Sequence, residues 1–314
     1  MADRTLTDQD VPGPRRDYVG YGRRLPRVRW PHDARVALSL VLNYEEGSEA
    51  SFPAGDGYSE GGMAELAWSL PKEVRDLAAE SIYEYGSRAG VWRLARIFEA
   101  AKIPVTVYAS AVALERNREV AAWIREAGHE ACAHGWRWEQ TWRFTRQEEK
   151  ARILAAVDSI TATVGQRPRG WASRYCPSVH TRELLHEVGG FIYDSDAFND
   201  DLPYYTQVKG QPWLVIPYSV VHNDARFVIP QGHSDAEGFL TLAKRGLDLL
   251  WDEGATHPKM MSVGLHARTI GQPGRASALQ DFIAYAQARG KVWFARRIDI
   301  AEWWQTHAHE FPRD

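Results

Sequence analysis

The sequence predicts one α/β domain, a parallel barrel of about eight strands. Three observations carry the prediction. Short β-branched runs alternate with helical stretches along most of the chain, the order that βαβ units require. Many of those runs stop at a polar or ionisable residue, as strands do where a barrel carries its catalytic groups. The chain's 314 residues, 44% of them hydrophobic, suffice for one barrel with insertions. A seven-stranded, incompletely closed barrel would leave the same pattern.

Residues 1–30 are polar and proline-bearing and read as a surface arm, leaving 31–314 as a single barrel domain. Ala34–Asn43 alternates and then runs apolar, which suits a buried strand. Residues 47–72 are rich in Gly, Ser and Glu without a period, and form a long loop of the kind that usually serves function. A helix is expected over Ser87–Ala101, then a strand over Val105–Ser110. Asn117 can cap the next helix, which ends near Ala127 before Gly128. The strand His129–His134 leads to Thr145-Arg-Gln-Glu148, a capping box opening a helix that ends near Gly165.

Further on, Gly170–Ser173 reads as a short strand and Thr181–Val188 as a helix stopped by Gly189-Gly190. Phe191–Asp196 and Trp213–Ser219 read as strands. A second capping box, Ser234-Asp-Ala-Glu237, opens a helix that stops at Gly254. The strand Met260–His266, the helix Ala276–Ala288 and the strand Val292–Ala295 complete the series.

Composition narrows the function. A net charge of −3 argues against a dedicated nucleic-acid binder, which should carry a basic stripe. No apolar stretch reaches the ~18 residues of a membrane span, so no membrane partner is expected. The first residues lack the apolar core of a secretory signal. Two cysteines, Cys132 and Cys176, make no disulfide framework, and reduced thiols in a cytoplasmic protein are the simpler reading. Thirteen tryptophans suggest aromatic walls around a small substrate.

The strand ends supply the chemistry. Reading them along the chain collects Glu45, Glu46, His134, Arg174, Asp194, Asp196 and His266. Glu45 and Glu46 follow the first strand directly, so one should point into the barrel mouth and the other aside. A carboxylate there can take a proton from an attacking water; its bland alternative is a solvated or ion-paired acidic loop. Alternation puts Glu130, Cys132 and His134 on one face, with His134 at the strand's end and Trp136, Trp138 and Trp142 as a pocket rim. His266 is the better candidate for general acid, because imidazole can protonate a leaving nitrogen near neutral pH. Arg174 can pair with a catalytic carboxylate or hold a substrate carbonyl, or form a structural bridge to Asp194 or Asp196. His222, Asn223 and Asp224 are weaker candidates, and Cys176 a weak nucleophile candidate.

Several longer stretches carry a family resemblance. They are Val41-Leu-Asn-Tyr-Glu-Glu-Gly47, Glu80–Trp92, His134-Gly-Trp-Arg-Trp138, Tyr193-Asp-Ser-Asp196 with Asp200–Tyr204, and Gly264-Leu-His266. With them the chain resembles the polysaccharide-deacetylase superfamily from Arg16 to about Trp304, and within it the metal-independent allantoinases. The resemblance implies a distorted barrel with fewer strands than eight, hydrolysis of C–N amide bonds, and oligomers. It also aligns Glu45 and Glu46 with the paired aspartates of metal-dependent members, Arg174 with an arginine, Asp194 with an aspartate and His266 with a histidine of later motifs.

Two departures shape the expectation. Metal-dependent members carry two histidine ligands four residues apart, whereas here His134 is followed by Trp138, which cannot coordinate. No tightly bound metal is therefore expected, and no other cofactor. Trp171-Ala-Ser-Arg-Tyr-Cys-Pro-Ser178 also differs from the corresponding run of true allantoinases.

The mechanism expected is hydrolysis of a cyclic ureide or imide seated between tryptophans, with Trp136, Trp138, Trp171, Arg174 and Asp194 as binding residues. Glu45 or Glu46 activates water, His134 helps hold the carbonyl, and His266 is the acid. The competing readings are a metal-dependent N-deacetylase of an acetylated sugar, a hydrolase of another cyclic amide, and a catalytically silent sensor.

Overall fold

The computed structural model describes residues 11–312 except Tyr175 and Gln231. Among these residues nine strands form one curled sheet: β1 (Val36–Tyr44), β2 (Thr106–Ala109), β3 (Glu130–Ala133), β4 (Gly170–Trp171), β5 (Tyr193–Asp194), β6 (Tyr204–Val208), β7 (Gln211–Val215), β8 (Lys259–His266) and β9 (Val292–Phe294). Their order is β6-β7-β5-β4-β3-β2-β1-β8, and every pair is parallel except β6 with β7. β1 is the central strand. β8 runs along one side of it, while its other side is shared by β9 over 36–38 and β2 over 41–44.

Beyond β8 the barrel is completed by irregular chain. Asn223 bridges Gly264, and the Met260 amide donates to the Asp201 carbonyl at 3.0 Å. This closure without a strand is what distorts the barrel.

The helices are α1 (Leu77–Tyr85), α2 (Val91–Ala101), α3 (Ala111–Arg116), α4 (Arg118–Glu126), α5 (Arg146–Val164), α6 (Thr181–Val188), α7 (Ala236–Glu253), α8 (Pro273–Arg289) and α9 (Arg297–His307). Alternation along the strands divides the interior in two. Val36, Leu38, Leu40 and Leu42 of β1, with Met261, Val263 and Leu265 of β8, pack outward against the helices. Ala37, Val41, Tyr108, Cys132, Tyr193 and Met260 fill the barrel itself. Burying both faces explains why β1 reads as an almost continuous apolar run.

The lower barrel is polar. Buried Glu130 accepts from Tyr193 Oη (2.7 Å), Thr106 Oγ1 (2.8 Å) and the Ile298 amide (2.9 Å). Fully buried Arg297 donates from Nε to Ser195 Oγ at 2.9 Å. The start of α9 thereby plugs the end of the barrel opposite Glu45.

Several elements depart from the sequence reading. The stretch expected as a helix from Ser87 begins at Leu77, where Asp76 caps α1 by accepting from the Ala79 amide at 2.9 Å; α1 then reaches α2 through a π turn over Gly86–Gly90. β6 was not expected. It forms a hairpin with β7 through Lys209-Gly210, both at positive φ as a type I′ turn requires. α3 and α9 were likewise unforeseen. The capping box at Thr145 and Glu148 is formed, but α7 is capped by Asp235 rather than Ser234. Asn117 makes no cap bond; its amide donates to Ser87 Oγ at 2.9 Å.

The 47–72 loop is pinned at two points along its span. Arg137 pairs with Asp56 at 2.5 Å, and Arg275 of α8 grips both oxygens of Glu65 at 2.5 and 2.6 Å. Of the arm, residues 11–30 are described. Tyr21 Oη donates to the Pro203 carbonyl, Trp30 Nε1 donates to the Lys259 carbonyl, and the Arg27 amide meets the Pro312 carbonyl. Among the described residues, no helix is long and apolar enough to cross a membrane.

Candidate active site

Parallel pairing brings the C-terminal ends of β1, β3, β4 and β8 to one mouth. Asn43 lies opposite His266 across β1 and β8, and Ala133 opposite Trp171 across β3 and β4. Glu45 continues the inward parity of Val41 and Asn43, whereas Glu46 continues the outward parity of Leu42 and Tyr44. The two adjacent carboxylates are thus set in different surroundings by backbone alternation alone.

Glu45 lies between two imidazoles. Its Oε1 is 3.3 Å from His134 Nε2, and its Oε2 is 3.8 Å from His266 Nε2. Each ring is oriented through its other nitrogen. His134 Nδ1 donates to the Ala172 carbonyl at 2.7 Å, which turns Nε2 toward Glu45. His266 Nδ1 meets Asp224 Oδ1 at 2.5 Å. Asp224 Oδ2 is fixed in turn by the amides of His266 (2.7 Å) and Ile270 (3.0 Å). His134 also stacks on Tyr108, with ring centroids 5.4 Å apart.

A guanidinium completes the cluster. Arg268, two residues after β8's last residue, donates from Nη2 to Glu45 Oε2 at 2.9 Å and from Nη1 to Glu46 Oε1 at 3.2 Å. Its backbone amide also reaches Glu46 Oε1, at 3.2 Å. Its Nε donates to the Met63 carbonyl, so the 47–72 loop lies directly over the cluster. Glu45, Glu46, His134, His266 and Arg268 are all buried. Gly86 and Gly90 permit this packing. A Cβ on Gly86 would sit 2.6 Å from Glu46 Oε1, and one on Gly90 only 2.0 Å from the Ala267 carbonyl oxygen.

The charges follow from these contacts. Burial alone would raise the Glu45 carboxyl, but Arg268 and the two imidazoles hold it well below the usual carboxylate range. Burial pushes Glu46 up, against the pull of Arg268 and with the help of Glu45's charge. His266 is raised above an ordinary imidazole because Asp224 and Glu45 outweigh its burial. One ionised carboxylate beside a protonated imidazole is a pair able to accept one proton and donate another.

The remaining candidates are distributed unevenly. The Arg174 guanidinium lies 3.4 Å from the centroid of the Trp138 ring, and that of Arg268 lies 5.3 Å from it. Trp138 is therefore layered with guanidinium groups and does not offer two free faces to a substrate. Trp136, Trp171, Ser173 and Arg174 line a narrow cavity beside the cluster. Trp171 itself is buried, with Nε1 donating to Ser173 Oγ at 3.0 Å and its ring edge-on to Phe191.

Asp194 follows inward-facing Tyr193 and so turns outward from the barrel, where its oxygens accept from Arg182 Nε (2.6 Å), Arg182 Nη2 (2.9 Å) and Trp213 Nε1 (2.5 Å). The bridge considered between Arg174 and Asp194 is thus made by Arg182 instead. Asp196 accepts from the amide (2.6 Å) and Oγ (2.7 Å) of Ser173, and burial with the Asp194 charge pushes it up to about 7. Trp142 and Cys176 are exposed, and Cys176 Sγ bonds the Pro177 carbonyl. The His222 carbonyl and Asn223 serve the closure beside β8, while their neighbour Asp224 joins the cluster.

Arg268 and Tyr83, whose ring lies 4.8 Å from the Arg268 guanidinium, were not singled out from sequence. For Arg268 the sequence offered only its place just past a strand end, not its two carboxylate partners. The donor set does not suit a divalent cation. Arg268 already holds both carboxylates, position 138 presents an indole, and among the described residues no three His, Cys, Asp or Glu side chains are grouped to hold a metal.

The comparisons agree with this architecture. A family model described as polysaccharide deacetylase matches residues 74–188. A putative polysaccharide deacetylase from Schizosaccharomyces pombe is 34% identical over 310 residues, covering 92% of this chain and 96% of its own. The crystal structure of a probable polysaccharide deacetylase from Pseudomonas aeruginosa PAO1 superposes with a TM-score of 0.89 at 47% identity, covering 93% of this chain and 98% of that one. PuuE allantoinase superposes equally well, with a TM-score of 0.89 at 45% identity over 93% of this chain and 97% of its own. The chain belongs to the polysaccharide deacetylase family of carbon–nitrogen hydrolases.

Proposed function

We propose that this hydrolase opens the ring of a cyclic ureide or imide, in the manner of an allantoinase, without a metal. The observation that carries the reading is Glu45, held between His134 Nε2 and His266 Nε2 with Arg268 on its second oxygen. Similarity to PuuE allantoinase over nearly the whole chain supports the substrate class.

Glu45 is the base. It takes a proton from water as the water oxygen attacks the ring carbonyl carbon. His266, kept protonated by Asp224, gives its Nε2 proton to the ring nitrogen as the C–N bond breaks. Glu45 then returns its proton to His266 across the 3.8 Å gap between them, which restores the resting state. Oxyanion stabilisation falls to fixed donors around the mouth, Arg174 among them. The 47–72 loop covers Arg268 and borders the approach to Glu45.

Glu45→Gln and His266→Ala should each lower allantoin turnover by about 10²-fold or more. Near-normal turnover in either variant removes that residue from the mechanism.

A further inference from the structure

Among the buried polar atoms near the catalytic cluster with no hydrogen-bond partner among the described residues are Tyr83 Oη and Trp138 Nε1. Tyr83 is 1% exposed and Trp138 7%. Leaving a buried donor unpaired is unfavourable, and native proteins tolerate it chiefly where something else satisfies the group. The two come from separate elements, α1 and the segment after β3, yet share Arg268 as a neighbour. Their rings meet edge to face at 5.5 Å.

Indole N–H only donates, and guanidinium groups only donate. Arg268 and Arg174 both pack against Trp138, while Glu45, Glu49 and Glu60 bring negative charge near Tyr83. Carbonyl oxygens on a ligand would satisfy both the indole N–H and the hydroxyl.

We propose that Tyr83 Oη and Trp138 Nε1 are substrate-binding donors that read two carbonyl oxygens of a planar ring amide. This rests on the ring-opening reading above and narrows it to rings with two acceptor oxygens. Neither residue takes part in proton transfer. Their effect falls on binding and on discrimination between substrates.

Tyr83→Phe removes only the hydroxyl, and thermal melting with added ligand reads both consequences. Tyr44→Phe is the control, because Tyr44 Oη is paired with Ser87 Oγ at 2.8 Å. The probes are allantoin, succinimide, 2-pyrrolidinone (one carbonyl fewer than succinimide) and N-acetylglucosamine. Tyr83→Phe should melt no lower than wild type, whereas Tyr44→Phe melts lower. Its stabilisation by allantoin and succinimide should be lost, with kcat/KM down about 10- to 100-fold. Wild type should prefer succinimide to 2-pyrrolidinone by at least about tenfold, and both Tyr83→Phe and Trp138→Phe should narrow that preference.

Unchanged ring-amide binding and preference in both variants overturn the proposal alone. So does a Tyr83→Phe that melts as low as the control, because the hydroxyl would then be paired within the fold. A wild type that responds to none of the ring amides, or only to N-acetylglucosamine, overturns the ring-opening reading and this proposal with it.

Discussion

Arg268 and Glu45 form a buried ion pair, Nη2 to Oε2 at 2.9 Å, and the same guanidinium reaches Glu46 at 3.2 Å. One cation therefore compensates two adjacent carboxylates at a place with almost no solvent. Pairs of this kind matter most when broken, because the surviving charge is left uncompensated in a medium of low polarity.

Arg268→Ala should accordingly lose about 3–5 kcal/mol of stability in urea unfolding. The acid limb of its kcat/KM profile should move to higher pH, since Glu45 loses the charge that holds its carboxyl low. A loss of less than about 1 kcal/mol, with an unmoved limb, would show that the pair does neither.

The pH profile follows from two opposite shifts. Glu45 has a folded value below its usual 4.5, so its contribution to stability is present above that value and is lost as pH falls through the folded one. His266 has a folded value above 6.5, so its contribution is complete below 6.5 and is lost as pH rises through the folded value. The activity plateau should therefore extend from below 4.5 to above 6.5. Asp224→Asn removes the charge that raises His266, leaving burial to dominate. Its alkaline limb should fall toward or below 6.5, and turnover should drop by about 10²-fold. An unchanged alkaline limb assigns that limb to another group.

Gly90→Ala reverses an ordinary expectation. In a helical segment alanine is normally favoured over glycine by about 1 kcal/mol. Here the added methyl would lie 2.0 Å from the Ala267 carbonyl oxygen and push on the segment joining His266 to Arg268. Differential scanning calorimetry should show a lower melting temperature, with reduced turnover. A more stable and fully active variant would mean that this approach is not what seats Arg268.

How much of this was legible in the sequence depended on whether a residue's role is local. β1, β3 and β8 could be read from apolar runs ending in Glu45, His134 and His266, because parity and strand direction are properties of neighbouring residues. The convergence of those three needed only the barrel rule. Arg268 and Asp224 act through partners 223 and 42 residues away in sequence, and nothing beside them marks those partners. Asp194 shows the reverse: it sits at a strand end but is turned outward to Arg182 and Trp213. α1 was missed because Asp76 precedes a segment dense in Glu and Tyr rather than one with a clean apolar stripe. The two-residue turn of the β6–β7 hairpin hinges on Lys209 accepting positive φ, which its residue type does not advertise.

The most direct test of metal-free ring opening is turnover of allantoin by protein purified through a chelator, with metal content measured on the same sample. Turnover should appear at metal contents far below one ion per chain and be unaffected by added zinc. Inactive metal-free protein that gains activity on adding zinc would contradict metal-free ring opening.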